Sequence, residues 1–201
     1  MGWGSVISLD REATLDLNSL GGNPLWDGVM QFSSHHYTWV PLYVALLVYL
    51  FYRIGWKKGL VFLAAIGLTF LCCDQLSGVF KYAFERLRPC HDEGMIAGGL
   101  RILESKGGQY GFFSAHAANT FGLACCSILA FRTDPSRRYR GLLYGLPLWA
   151  ALVSVSRVFV GKHFLGDVCV GFAVGIVFGL LFGWLAGKVI RRFLDSSLRS
   201  E

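Results

Sequence analysis

Between Ser156 and Asp167 the chain reads S-R-V-F-V-G-K-H-F-L-G-D, which sets an arginine, a histidine and an aspartate between two long apolar segments. Charged groups beside hydrocarbon are costly and are seldom kept without a task. A helix starting near His163, after Gly161, puts His163 and Asp167 four residues apart on one face. A carboxylate so placed accepts a hydrogen bond from one imidazole nitrogen, fixes the tautomer and leaves the other nitrogen as a base or nucleophile. Arg157, closing the preceding segment, is placed to bind an anion. The combination suits attack on a phosphate.

Two further groups carry similar chemistry. In K-Y-A-F-E-R-L-R-P, Lys81 and Arg88 are seven residues apart, so a helix reaching Arg88 presents both on one side before Pro89 ends it. Two cations on one face form an anion clamp. The plainer alternative is a pair of snorkelling side chains, with Glu85 neutralising Lys81. In F-S-A-H-A-A-N-T, Ser114 is a candidate N-cap for a helix whose first free N–H groups attract phosphate. His116 then falls in the first turn, where it can protonate a leaving oxygen. Asp74 lies seven residues before Lys81, on the same face and about 10 Å deeper, and is expected to be a buried, hydrogen-bonded group.

The elements that must position these residues are membrane helices. The 201 residues are 54% hydrophobic and 16% charged, with a mean hydropathy of +0.48. Soluble domains carry about 25% charged residues, so a single all-α transmembrane bundle is the expected class. Apolar segments fall at about 37–53, 59–83, 114–131, 141–160 and 164–187, which gives about five spans. Residues 1–36 read as an amphipathic surface segment, broken at Gly21-Gly22-Asn23-Pro24, residues 37–192 as the transmembrane domain and residues 193–201 as a cytoplasmic tail. Arg53, Lys57 and Lys58, then Arg132, Arg137, Arg138 and Arg140, then Lys188, Arg191, Arg192 and Arg199, all fall on one side of a five-pass arrangement. Basic loops stay in the cytoplasm, so the turn around His163 and the loop 88–112 face outward.

Other features exclude alternatives. The net charge of +6 comes without a basic stripe interleaved with aromatics, so nucleic acid is not the expected partner. Five of the six cysteines sit inside apolar runs and read as packing residues, and Cys90 lies in a loop. His35 and His36 read as polar interface residues. His91, Asp92 and Glu93 lack a partner at metal-ligand spacing and read as a solvated loop. The glycines of the 90–112 loop suggest a flexible lid.

Taken together, K-x6-R-P (Lys81 to Pro89), the serine–small–histidine element (Ser114 to His116) and S-R-x5-H-x3-D (Ser156 to Asp167) resemble the type 2 phosphatidic acid phosphatase family, which includes bacterial acid phosphatases and vanadium haloperoxidases. The middle motif departs from the family's Pro-Ser-Gly-His at Phe113 and Ala115. The resemblance implies that His163 is a nucleophile forming a phosphohistidine, that Asp167 orients it and that His116 is the general acid. It implies that Lys81, Arg88, Ser114, Ala115 and Arg157 bind phosphate, with no metal or cofactor. The expected protein is an integral membrane lipid phosphatase of the bacterial inner membrane, with an extracytoplasmic site. A polyprenyl (undecaprenyl) diphosphate is the first candidate substrate, followed by phosphatidylglycerol phosphate, phosphatidic acid and lipid A phosphates. A non-catalytic lipid-phosphate binder or transport protein on the same scaffold is the alternative that Phe113 and Ala115 favour. A vanadate-dependent haloperoxidase is a second alternative, against which the membrane character argues. The oligomeric state is not encoded in these motifs.

Overall fold

The computed structural model describes residues 2–194. The expected tail at 193–201 therefore lies mostly outside the described residues. Among these described residues all regular structure is helical, apart from one isolated bridge between Leu87 and Tyr110. Helices α1 (Trp3–Ser19) and α2 (Pro24–Ser34) precede a 3₁₀ turn and α3 (Val40–Ile54). Then come α4 (Trp56–Phe84), the short α5 (Glu93–Ala97), α6 (Ala115–Phe131), α7 (Arg140–Phe159) and α8 (Leu165–Val189). The five apolar segments correspond to α3, α4, α6, α7 and α8. Four stretches, at α3, α4, α7 and α8, are long and apolar enough to cross a membrane. Helix α6 has 17 residues, about 26 Å at 1.5 Å per residue, which is a little under a typical hydrocarbon thickness.

Helix α6 is short but central, with eleven of its residues buried. It packs most closely on α8, whose Gly171, Gly175, Gly179 and Gly183 recur every four residues and are all buried. A Cβ at Gly175 would run into the Ala118 carbonyl, and one at Gly179 would stand 2.5 Å from the Gly122 carbonyl oxygen. The two backbones are therefore in contact along this seam, as small-residue repeats allow between membrane helices.

The basic loops gather at one end. Gly55, at φ 78°, ends α3 and lets α4 start at once. Arg53 there donates to Asp134 at 2.7 Å and to the Tyr139 hydroxyl at 2.7 Å, which ties the α3–α4 turn to the α6–α7 loop. The larger apolar core, with Leu50, Phe62, Phe131, Trp149 and Ile190, fills this half. The opposite half holds the polar groups.

The N-terminal helices are fastened to that opposite half. Asn18 donates to the carbonyls of Arg101, Val158 and Phe159 and accepts from the Arg101 N–H at 2.8 Å. Arg11 makes a two-pronged pair with Asp92 at 2.6 and 2.7 Å, and Gln31 bonds the Leu103 carbonyl.

Candidate active site

The site begins at the end of α7. Helix α7 stops at Phe159, and Gly161 takes a left-handed conformation (φ 79°) beside the Arg101 carbonyl. The turn then folds back, so that the N–H groups of Lys162 and His163 both reach the Arg157 carbonyl, at 3.0 and 3.2 Å. His163 is thus set beside Arg157 before α8 begins at Leu165. Helix α8 starts two residues after His163, which lies in the turn before it, and Asp167 sits in the helix's first turn. They still meet. The carboxylate of Asp167 accepts from the Phe164 N–H at 3.1 Å, as an acid near a helix start does, and this turns its Oδ2 to 3.4 Å from His163 Nδ1. Both residues are buried, and Nε2 is the ring nitrogen not engaged by the carboxylate.

The second group arrives from α4. Lys81 is in its last turn, but α4 ends at Phe84 and Glu85 adopts a left-handed cap (φ 45°). The helix therefore does not reach Arg88, the condition for the two cations to share one helical face. A residue before proline is pushed to extended angles, and Arg88, at φ −68° and ψ 153°, obeys Pro89. Its position is set instead by the bridge to the loop: its N–H donates to the Gln109 carbonyl at 2.9 Å and its Nε to the Tyr110 carbonyl at 3.1 Å.

The third group caps α6. Ser114 is the N-cap, and its Oγ accepts from Ala117 N–H at 3.4 Å. Its own N–H donates to the Asp167 carbonyl at 3.0 Å, which locks α6 to α8 at the site. Among the described residues Glu85 is the single non-glycine with positive φ, so Ala115 holds ordinary helical angles that need no glycine. Phe113 is fully buried against Cys73, Phe80 and Ala118.

These groups converge. Arg157, Arg88 and Lys81 all act electrostatically on His163, and Arg157, Arg88 and His163 on His116. Burial first, and then those three cations, hold the His163 imidazole well below its ordinary basicity, which favours the neutral ring. Burial likewise lowers Arg88, and lowers Lys162 together with the field of Arg157. Arg157 is nearly enclosed, and its buried Nε has no hydrogen-bond partner. Its Nη1 donates to the Ser34 carbonyl at 3.1 Å and to the Ser34 hydroxyl, with Glu104 at 3.7 Å. A concentration of cations around a buried neutral imidazole, with α6 N–H groups beside it, is suited to a tetrahedral oxyanion.

The remaining expectations fall as follows. Asp74 is hydrogen-bonded, to Asn119 at 2.9 Å, but is exposed rather than buried. His36 is exposed, with its ring 6.4 Å from that of His116, at the rim of the site. Asp92 pairs with Arg11 and caps α5, and no metal-binding cluster occurs among the described residues. All six cysteines are free thiols. In the glycine-containing loop the Ser105 carbonyl accepts from Lys162 Nζ, and within the loop Cys90 and His91 contact the carbonyls of Lys106 and Gly107.

Sequence reasoning missed Arg86, Asp10, Thr14, Ser34, Glu104 and Lys162. Arg86 stands inside the K-x6-R-P motif and Lys162 next to His163, so proximity to the motifs was the one available sign. Asp10, Thr14 and Ser34 offered none.

An all-helical membrane bundle with an imidazole–carboxylate pair inside a ring of cations defines a membrane phosphatase. The chain belongs to the PAP2 superfamily, whose family model matches residues 58–191. It is similar to the lipid A 4'-phosphatase of Porphyromonas gingivalis, with 36% identity over 172 residues covering 84% of this chain and 69% of that protein. The lipid A 4'-phosphatase of Bacteroides thetaiotaomicron is 36% identical over 168 residues, 83% of this chain and 72% of the other. Its fold is similar to the transmembrane PAP2-type phosphatidylglycerolphosphate phosphatase of Bacillus subtilis, with a TM-score of 0.72 and 25% identity over 94% of this chain and 89% of that one.

Proposed function

We propose that this integral membrane protein hydrolyses a phosphomonoester or diphosphate of a membrane lipid through a phosphohistidine on His163. The observation that carries the reading is the buried His163 with Asp167 on one ring nitrogen and Lys81, Arg88 and Arg157 around it. In the first step the Nε2 lone pair attacks phosphorus and the bond to the lipid oxygen breaks. His116 gives its proton to that oxygen. Lys81, Arg88, Arg157, the Ser114 hydroxyl and the Ala115 N–H hold the phosphoryl oxygens, and Asp167 stabilises the imidazolium that forms. Water then attacks the phosphohistidine, His116 takes a proton from it, and phosphate leaves from His163. No step calls on a metal.

Among lipid phosphates, those of lipid A become the first to test, since two relatives at 36% identity carry that name. Polyprenyl diphosphate, phosphatidylglycerol phosphate and phosphatidic acid follow. The non-catalytic alternative rests on Phe113 and Ala115; Phe113 packs into the core and Ala115 holds helical angles behind the Ser114 cap. The site is assigned to the extracytoplasmic leaflet, opposite the basic loops.

The test is phosphate release by purified protein in detergent from a panel of these lipids. Lipid A phosphate is expected to turn over fastest, and absence of release from every lipid overturns the reading. His163→Ala should abolish release in a protein that still inserts. Asp167→Asn should slow turnover on the order of 10⁴-fold, by analogy with the wrong-tautomer effect in serine-protease triads. A near-normal rate in either variant counts against the assigned role.

A further inference from the structure

Of the charged side chains at the site that the proposed reaction leaves unused, Arg86 is bonded directly to Asp167. Arg86 lies within the K-x6-R-P stretch, yet both of its terminal nitrogens are engaged by carboxylates. Its Nη1 donates to Asp167 Oδ1 at 2.8 Å and its Nη2 to Asp10 Oδ2 at 2.5 Å. Its guanidinium lies over the Phe164 ring, 4.1 Å from the centroid, and its carbonyl accepts from the Gly111 N–H at 2.9 Å. The Gly111 carbonyl in turn faces the His163 ring. Asp10 does not only hold Arg86. Its Oδ1 accepts from the Gly166 N–H at 2.7 Å, while Thr14, one turn along α1, accepts from the Leu165 N–H at 3.0 Å. Helix α1 thus caps the start of α8 and steers Arg86 at once.

Among the described residues the Arg86 side chain forms its ion pairs with Asp167 and with Asp10, and its ring contact with Phe164 in the segment that carries Asp167. Asp167 is wholly buried, and a buried carboxylate needs both a counter-charge and a fixed direction. Arg86 supplies the charge on Oδ1. Binding one oxygen there leaves Oδ2 to face His163. A planar fork spanning two carboxylates fixes that rotation, which a point charge would not.

We propose that Arg86, steered by Asp10 of α1, is a positioning residue that holds Asp167 ionised and aimed at His163, so that a helix outside the membrane bundle sets the alignment of the nucleophile. This rests on the phosphohistidine reading. The charged groups around Asp167 are Arg86 from the α4–α5 segment, His163 from the α7–α8 turn, Arg88 and Lys81 from the other side of the site, and Asp10 through Arg86.

The test measures kcat and KM of purified variants in detergent on the best lipid of the panel, with a thermal melt of each. Arg86→Gln should lower kcat about 100-fold, the scale of a small misplacement of reacting groups, with KM changed less than about threefold. Arg86→Lys should recover part of kcat, and Asp10→Asn should lose about tenfold. In an Asp167→Asn background, Arg86→Gln should add less than about threefold, since Arg86 acts through that carboxylate. Arg11→Gln breaks a different α1 contact, to Asp92, and should leave kcat unchanged. Should Arg86→Gln fail to fold, Arg86→Lys and Asp10→Asn decide. Unchanged kcat in both, or losses that appear only in KM, overturns the proposal. So does full additivity with Asp167→Asn. Activity retained by His163→Ala would instead remove the phosphohistidine reading itself, which separates the two failures.

Discussion

His163 is a base kept from its proton. Burial and three neighbouring cations favour the neutral ring in the folded protein, whereas an exposed imidazole takes a proton near pH 6.5. Below about pH 6.5 the unfolded chain therefore binds a proton that the folded chain refuses, and stability falls as pH drops through that value. Above it both forms are neutral and the effect vanishes. Thermal melts in detergent from pH 8 to pH 5 should show this decline, and His163→Gln should flatten it. A slope unchanged by that substitution would mean the imidazole is protonated in the fold. Ala115 gives a second check at this scale. Because it sits at helical angles behind the Ser114 cap, Ala115→Gly should change turnover by less than about threefold and stability by less than about 1 kcal/mol. A large gain would show that the alanine obstructs phosphate. The types and spacings of His163, Asp167, Arg157, Lys81 and His116 were readable from the chain, because each stands at a fixed interval inside or beside an apolar run. Arg86, Asp10 and Ser34 were not readable, since their partners lie 76 or more positions away and amphipathic segments scatter polar residues of the same kinds.

Elements were legible to the extent that hydrophobic runs mark them. All five membrane segments are found as helices within a few residues of the expected limits, because a bilayer demands long apolar stretches with every backbone group bonded internally. Their ends were harder. Whether α4 reaches Arg88 is left open by the motif, although Pro89 biases Arg88 to extended angles, and the left-handed Glu85 that ends the helix has no composition to announce it. The packing partner of α6 was likewise hidden, even though the glycines of α8 recur at a spacing of four. That seam has a measurable consequence. Gly175→Leu would push a side chain into the Ala118 carbonyl and force α6 from α8, costing about 1–3 kcal/mol or more by overpacking. Since Ser114 is bonded to Asp167 across the same pair of helices, activity should fall with the melting temperature. A variant as stable as the parent would mean the seam tolerates a wider separation.

The whole molecule has two unlike ends, one basic and tied through Arg53 and Asp134, the other holding the site under α1 and α2. The proposed orientation follows from that polarity. In intact cells, with Cys169 replaced by alanine, a membrane-impermeant thiol reagent should label Ser105→Cys and leave Ser136→Cys unlabelled until the membrane is opened. The reverse pattern would turn the protein over in the bilayer. The hydrogen bonds of Asn18, Asp10, Thr14 and Ser34 carry a further consequence, because the region shared with the superfamily starts at residue 58. A fragment trimmed to that shared region would keep every group assigned to touch phosphorus or its oxygens, yet lose the scaffolding that aims Arg157 and Asp167. On the proposed roles, those first helices belong to the working machine, and grafting them between relatives should transplant part of its tuning.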